Sequence, residues 1–223
     1  MIYDESIFIS VAIPLAIILI FMKDHFRHFV GAILIGMTIA LLSSYIIRLV
    51  NIVSDFGETA NNVYISPIVE EWMKILPLLL FLILFKPESK LFMLTSIALG
   101  AGFAVFDNCC YVLHSEGENL LLIIIRSLSS GVMHTVSILA LSLWLVVLRQ
   151  RKMLTVPTVL GAVALPTAFH ALFNLLMSRR GVSSVFGYIL PVVTAVFLIY
   201  VFRRMIADAK ESEAEPPREE EGN

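Results

Sequence analysis

Seven apolar stretches, each close to the length of about 20 residues that spans a bilayer as a helix, follow one another along this chain. In lipid, only helices and closed barrels satisfy every backbone hydrogen bond, and stretches of this length are typical of helices. Hydrophobic residues make up 58% of the 223 positions and the mean hydropathy is +0.88, well above the range of soluble domains. The chain is therefore predicted to be an all-α, polytopic membrane helix bundle of about seven transmembrane helices, with spans at 6–22, 29–50, 63–85, 91–113, 120–148, 154–177 and 183–202.

The basic residues in the short links between the spans predict an orientation. Eleven of the sixteen Lys and Arg residues lie in the first, third and fifth links and the C-terminal tail, whereas only three lie on the opposite side. Because cytoplasmic loops are the ones enriched in Lys and Arg, we expect an outer N-terminus and a cytoplasmic C-terminus. Residues 1–206 are predicted to form an integral domain of the cell membrane, in contact with lipid. Residues 207–223 hold seven of the eighteen acids and are predicted to be an acidic, disordered cytoplasmic tail.

The composition also limits the partners and the processing that we expect. Nowhere does a basic patch with interleaved aromatic residues occur, so no nucleic-acid partner is predicted. Cys109 and Cys110 are adjacent in an apolar run, which favours packing over an ordinary disulfide. The start of the chain is acidic and lacks a basic n-region, so the first apolar stretch is expected to remain as an anchor.

Charged and titratable side chains interrupt the third to sixth apolar stretches. An ionisable group at the centre of a membrane helix costs at least about 2.5 kcal/mol and usually marks a functional site. With the orientation above and a rise of about 1.5 Å per residue, these groups fall at a similar depth in the outer half of the bilayer. We therefore predict one shared polar site that contains Glu70, Glu71, Lys74, Asp107, Asn108, Arg126, His134, His170 and Asn174.

Helical spacing places some of these residues on common faces, and a purely structural interpretation exists for them. Glu70 and Lys74 are one turn apart, which is also the spacing of a simple ion pair that fixes helix packing. That pair would leave Glu71 without a partner. Asp107 could likewise form a structural ion pair with Arg126.

These residue types suit hydrolysis in a dry environment. A carboxylate can act as general base toward water, and imidazoles can bind a metal or donate hydrogen bonds to a developing oxyanion. Two histidines and one carboxylate would also satisfy the pattern of a catalytic zinc site with one open position. If a metal is used, the ligands predicted from the sequence are Glu71, His134 and His170; otherwise a glutamate activates the water directly.

Taken together, four motifs resemble the PrsW family of intramembrane proteases, which is distantly similar to the CAAX-prenyl and bacteriocin-processing membrane proteases. The resemblance covers residues 63–177. In the second motif the family more usually has Glu where this chain has Asp107. The motifs are, in order, E-E-x-x-K (Glu70, Glu71, Lys74), F-x-x-x-D-N (Phe103, Asp107, Asn108), an Arg eight residues before a His (Arg126, His134) and H-x-x-x-N (His170, Asn174).

The resemblance implies an intramembrane endopeptidase that cleaves a single-pass membrane protein near its extracytoplasmic face. In bacterial relatives that substrate is typically an anti-sigma factor, cut in the first step of regulated proteolysis. The residues by themselves leave two other functions open. One is a catalytically silent relative that binds a partner helix. The other is a proton-coupled transporter, because buried acids and histidines also build proton relays.

Overall fold

The described chain is a bundle of seven long helices. The computed structural model describes residues 2–54, 57–115, 119–179 and 181–214, and these residues contain no strand. The predicted all-α helix bundle is therefore confirmed. The long helices are α1 (Ile2–Phe21), α2 (Asp24–Ser54), α3 (Ser66–Phe85), α4 (Ser89–His114), α5 (Leu120–Gln150), α6 (Val156–Met177) and α7 (Val182–Ala214).

Six of these helices have the length and the apolar composition of a membrane span, as judged over the described residues. The remaining one, α3, is 20 residues long and mostly apolar, but it contains Glu70, Glu71 and Lys74. The chain is a multi-pass membrane protein, as predicted. Its orientation in the bilayer stays a prediction.

A short irregular segment leads into α3. One helical turn, Glu58–Ala60, is followed by a π-helical turn, Asn61–Ile65, and the α-helix then begins at Ser66 with Pro67 in its first turn. Proline fits there because the first N–H groups of a helix have no intrahelical acceptor. Single π-helical turns often lie beside functional sites, and this one immediately precedes the two glutamates of α3.

The last helix is longer than its apolar sequence. The predicted membrane domain ends at residue 206, whereas α7 continues to Ala214. The predicted tail is therefore helical over its first eight residues, 207–214, where alanine, glutamate and lysine are good helix formers in water as well as in lipid. Residues 215–223 lie outside the described part of the chain, so the rest of the predicted disordered tail stays a prediction.

Two glycines allow α2 and α4 to pack with their backbones in close approach. A Cβ atom on Gly36 would overlap the carbonyl oxygen of Leu99, and a Cβ atom on Gly102 would overlap the carbonyl oxygen of Ile33. Small residues permit this kind of approach between membrane helices. Because α4 also packs against α5, this contact fixes the part of the bundle that carries the polar residues of the site.

Gly102→Ala should destabilise the bundle, since its new methyl group would push α2 and α4 apart. Overpacking of this type costs about 1–3 kcal/mol. The control is Gly161→Ala, because a Cβ atom on Gly161 meets nothing within 4 Å and alanine is the better helix former. Thermal unfolding in detergent should show a lower midpoint for Gly102→Ala and an unchanged or higher midpoint for Gly161→Ala. Equal midpoints would contradict the close contact.

Candidate active site

Four helices bring their charged and imidazole side chains into one buried cluster. The cluster lies where α3, α4, α5 and α6 meet. The imidazole rings of His134 and His170 are 5.1 Å apart between centroids and perpendicular to each other. Both rings are only 2% exposed. The structure thus brings together six of the nine predicted site residues: Glu70, Glu71, Lys74, Asp107, His134 and His170.

Glu71 is the most enclosed acid of the cluster, with no exposed surface. Its Oε1 accepts a hydrogen bond from Lys74 Nζ at 2.7 Å and lies 2.9 Å from His170 Nδ1. Its Oε2 accepts a hydrogen bond from Ser137 Oγ at 2.6 Å. Both carboxylate oxygens are therefore occupied by protein donors, so Glu71 orients its neighbours and is poorly placed to bind a metal.

Lys74 is fully buried and is the cation that balances this acid. Its ammonium donates to Glu71 and also lies 2.9 Å from His134 Nδ1 and 4.3 Å from the centroid of the Phe103 ring. The structural ion pair considered from the sequence, Glu70–Lys74, is therefore wrong. The pair is Glu71–Lys74, at a spacing of three residues, and it leaves Glu70 free to face the histidines.

Glu70 directs one carboxylate oxygen toward both imidazoles. Its Oε2 lies 4.0 Å from His134 Nδ1 and 3.9 Å from His170 Nε2. That oxygen is buried and has no hydrogen-bond partner among the described residues. One ligand atom from each of these three side chains lies within 4.8 Å of the other two. The group whose geometry could hold a metal ion therefore contains Glu70, whereas the sequence analysis predicted Glu71 beside the same two histidines.

The protons on the two histidines can be assigned from their partners. An ammonium only donates and a carboxylate only accepts. His170 therefore donates from Nδ1 to Glu71, and His134 accepts at Nδ1 from Lys74 and donates from Nε2 to Asp107 at 3.2 Å. The two nitrogens that face Glu70 both carry lone pairs. A carboxylate oxygen and two unprotonated imidazole nitrogens grouped in this way are the donor set of a cation site, which becomes complete when Lys74 gives up its hydrogen bond to His134 Nδ1.

Each histidine is held by a carboxylate on the nitrogen that points away from Glu70. Glu71 holds His170, and Asp107 holds His134. Metal-binding histidines are commonly oriented by a carboxylate in this manner. Among the described residues, the structural pair considered between Asp107 and Arg126 does not form an ion pair within 4 Å. The Asp107 carboxylate bonds to His134 and to Ser130 Oγ at 3.3 Å, while the Arg126 guanidinium carbon lies 3.9 Å from the centroid of the Tyr111 ring.

The two predicted asparagines lie outside the cluster. Asn108 donates to the carbonyl of Ser127 at 2.9 Å and so ties α4 to α5 on another side of the helices. Asn174 donates to the carbonyl of Asn62 at 2.8 Å and so ties α6 to the π-helical turn. Asn174 lines the cavity described next, whereas Asn108 lines an apolar groove instead.

A cavity of about 520 Å³ connects the cluster with the surface of the bundle. Glu70, Asp107, His134 and His170 line its inner part, and exposed residues such as His114 at the end of α4 line its outer part. The walls are largely polar although they lie among membrane helices. The cavity therefore connects the carboxylates and the imidazoles with the surface of the bundle through a polar passage.

Ser137 is a contributor to the cluster that the sequence analysis missed. It lies three residues after His134 on the same face of α5, and it supplies the hydrogen bond that occupies the second oxygen of Glu71. Its spacing from His134 was a usable signal. However, serine is common in apolar helices, where its hydroxyl usually bonds to the preceding turn, so the residue type alone did not mark it.

Comparison with known protein families matches most of the chain to one family model. The model of the PrsW family of intramembrane metalloproteases matches residues 15–202 of the chain. No curated protein and no solved structure matches the chain. The matched range contains all nine residues that the sequence analysis placed in the site.

The Glu71–Lys74 pair should be more important for folding than either charge is alone. Lys74→Met leaves a buried carboxylate without its main counter-charge, and breaking a buried pair in this way costs about 3–5 kcal/mol. The double variant Lys74→Met/Glu71→Gln removes both charges and should regain much of that stability. Thermal unfolding in detergent measures this, with Lys90→Met at an exposed lysine as the control. A double variant no more stable than Lys74→Met would contradict the pairing.

Proposed function

Because this chain belongs to the PrsW family of intramembrane metalloproteases, we propose that the buried cluster is its peptidase centre and that Glu70, His134 and His170 hold a zinc ion there. The observation that carries the proposal is the unpartnered Oε2 of Glu70, which lies 4.0 Å from His134 Nδ1 and 3.9 Å from His170 Nε2. Two histidines and one glutamate are the ligand set of well-known catalytic zinc sites.

The distances within this donor set, which reach up to 4.8 Å, fit a metal site in which the ligands move closer together by up to about 1 Å on binding. Zinc ligands lie about 2.0–2.2 Å from the ion, so neighbouring ligand atoms are about 3.3–3.6 Å apart in a tetrahedral site. The two distances to Glu70 Oε2, 4.0 and 3.9 Å, are within half an ångström of that range. Lys74 would give up His134 Nδ1 as its acceptor and keep Glu71. A bound zinc ion supplies Lewis acidity, which polarises a carbonyl and makes bound water more acidic.

The carboxylates in the cavity wall act as proton acceptors in the cleavage of a peptide bond. When Glu70 serves as a ligand, Asp107 is the carboxylate in the cavity wall that can accept the proton of the attacking water. The side chain of Asp107 is 36% exposed, and its Oδ2 is held in place by His134. The proton then passes to the amide nitrogen as the C–N bond breaks. If no metal is bound, Glu70 takes over this general-base role.

The substrate that this cavity suits is a segment of a single-pass membrane protein. The cavity reaches the end of the bundle at which α4 and α6 end, and this end is extracytoplasmic in the predicted orientation. A substrate helix must unwind to expose its backbone, and the polar groups along the cavity can pair with that backbone. By family resemblance, the substrate is an anti-sigma factor or a similar regulatory protein.

Glu70→Gln should abolish proteolysis while the protein still folds, because the amide neither binds a cation well nor accepts a proton. The measurement compares membrane-protein N-termini by mass spectrometry in cells that carry the wild type or this variant. New N-termini beside transmembrane segments should appear only with the wild type. Glu88→Gln, at an exposed acid before α4, is the matched control and should retain cleavage.

If the wild type yields no such products although it folds and inserts, the peptidase assignment of the cluster is wrong. A pull-down of single-pass proteins that survives Glu70→Gln would then favour the partner-binding function.

The purified protein should contain about one zinc ion per chain, as in other three-ligand catalytic sites. Metal analysis should show that His170→Ala removes most of it, since one of three ligands is lost. Glu71→Gln should weaken binding about 10–100-fold, the usual effect of changing a group that orients a ligand. His114→Ala is the control, because this exposed histidine lies at the outer end of the cavity. A metal-free wild type that cleaves in the presence of a chelator would overturn the metal site and favour Glu70 as the base.

A further inference from the structure

A second, smaller cavity lies against the same carboxylates from the side of α2. Its volume is about 180 Å³. It shares three wall residues with the large cavity: Glu70, Asp107 and Cys110. The other walls of the small cavity come from α2 and α4, whereas α4, α5 and α6 supply most of the large cavity and α2 supplies none of it. The shared residues therefore form a partition with space on both of its sides.

The small cavity contains polar groups that have no protein partner. Ser43 is 1% exposed, and its Oγ has no hydrogen-bond partner among the described residues. The unpartnered Oε2 of Glu70 belongs to another wall residue of the same space. Buried polar atoms in proteins are nearly always bonded to protein or to ordered water. Since a water molecule occupies about 30 Å³ in the liquid, this cavity has room for several of them.

An ion pair with a buried acid and a half-exposed arginine lies beside the small cavity. Arg48 is one of its wall residues and forms an ion pair with Asp4, an acid that is only 3% exposed. Tyr45 on the same helix donates a hydrogen bond to Glu5. These two contacts tie the start of α1 to the outer part of α2. They keep charged and polar groups next to the cavity, which is the setting in which buried water is retained.

Hydrolysis in the large cavity creates a need for such a reservoir. A substrate segment that fills the large cavity excludes water from it, yet each cleavage consumes one water molecule. We propose that the small cavity is a water chamber that supplies the hydrolytic water to Glu70 and Asp107 from the α2 side while the substrate lies on the other side, and that Ser43 positions this water. The supply role rests on the peptidase function proposed above; the presence of water in the chamber does not.

X-ray radiolysis in ¹⁸O-labelled water tests the chamber without any substrate, because it labels side chains that lie next to bound water. Phe106 lines the small cavity and is 1% exposed, while Phe92 is 0% exposed and lines neither of the two cavities nor the apolar groove. Phe106 should be labelled several-fold faster than Phe92 in the wild type. Equal rates would mean a dry chamber and would overturn the proposal, whatever the protein cleaves.

Ser43→Leu fills the chamber and should reduce the labelling of Phe106 to the rate of Phe92. It should also lower kcat for the membrane protein found by the N-terminal comparison, with KM unchanged, because the substrate binds on the other side of the partition. Ser43→Ala leaves the chamber open, so Phe106 should still be labelled at the wild-type rate. The decrease in kcat should be smaller than for Ser43→Leu. Ser10→Leu, at an exposed serine of α1, is the matched control and should change neither.

The outcomes separate this proposal from the peptidase function. If Ser43→Leu removes the labelling but leaves kcat intact, the chamber does not supply the reaction and the proposal is overturned. If the wild type cleaves nothing, the peptidase function fails, and with it the supply role, while the labelling still decides whether the chamber holds water. Ala40→Val, at another wall residue, provides a smaller filling change if Ser43→Leu does not fold.

Discussion

The buried ion pair between Glu71 and Lys74 is the interaction on which the rest of the site depends. It neutralises two charges that membrane interiors otherwise exclude, and its geometry places every other polar group. Through Glu71 it sets the proton of His170, and through Lys74 it sets the proton of His134. The unprotonated nitrogen of each histidine is consequently the one that lies nearest to Glu70. Without this pair His170 would lose the carboxylate that fixes its tautomer, whereas His134 would keep its hydrogen bond to Asp107.

The architecture was largely predictable from the sequence, because the length and periodicity of apolar stretches in lipid leave few alternatives. The helix ends were less predictable. The start of α3 at Ser66 depends on the π-helical turn before it, and the extension of α7 to Ala214 depends on helix propensity outside the apolar stretch. Hydropathy reports where a chain prefers lipid, whereas hydrogen bonding determines where a helix begins and ends.

The residues of the site were predictable as a set, but their individual contacts were not. Glu70 and Glu71 are adjacent and chemically identical, so no spacing rule decides which one pairs with Lys74. The choice follows from Ser137 and His170, which reach Glu71 from other helices. Asn108 follows Asp107 directly in the motif, so the two residues were predicted to lie in the same site. One step along a helix, however, turns a side chain by about 100°, and Asn108 bonds to the carbonyl of Ser127 outside the cluster.

The composition of α3 also has a consequence for how the protein is made. On the scale of membrane insertion, a charge costs up to about 3 kcal/mol when it lies at the helix centre, and α3 carries three charges in its first half. Two of the groups that satisfy these charges, His134 and His170, are synthesised only after α3 has left the ribosome. Insertion of this helix therefore cannot be completed in strict chain order. It has to wait for, or be completed together with, the two later helices, so truncation after α3 or α4 should leave a product that fails to integrate stably and is open to degradation by quality control.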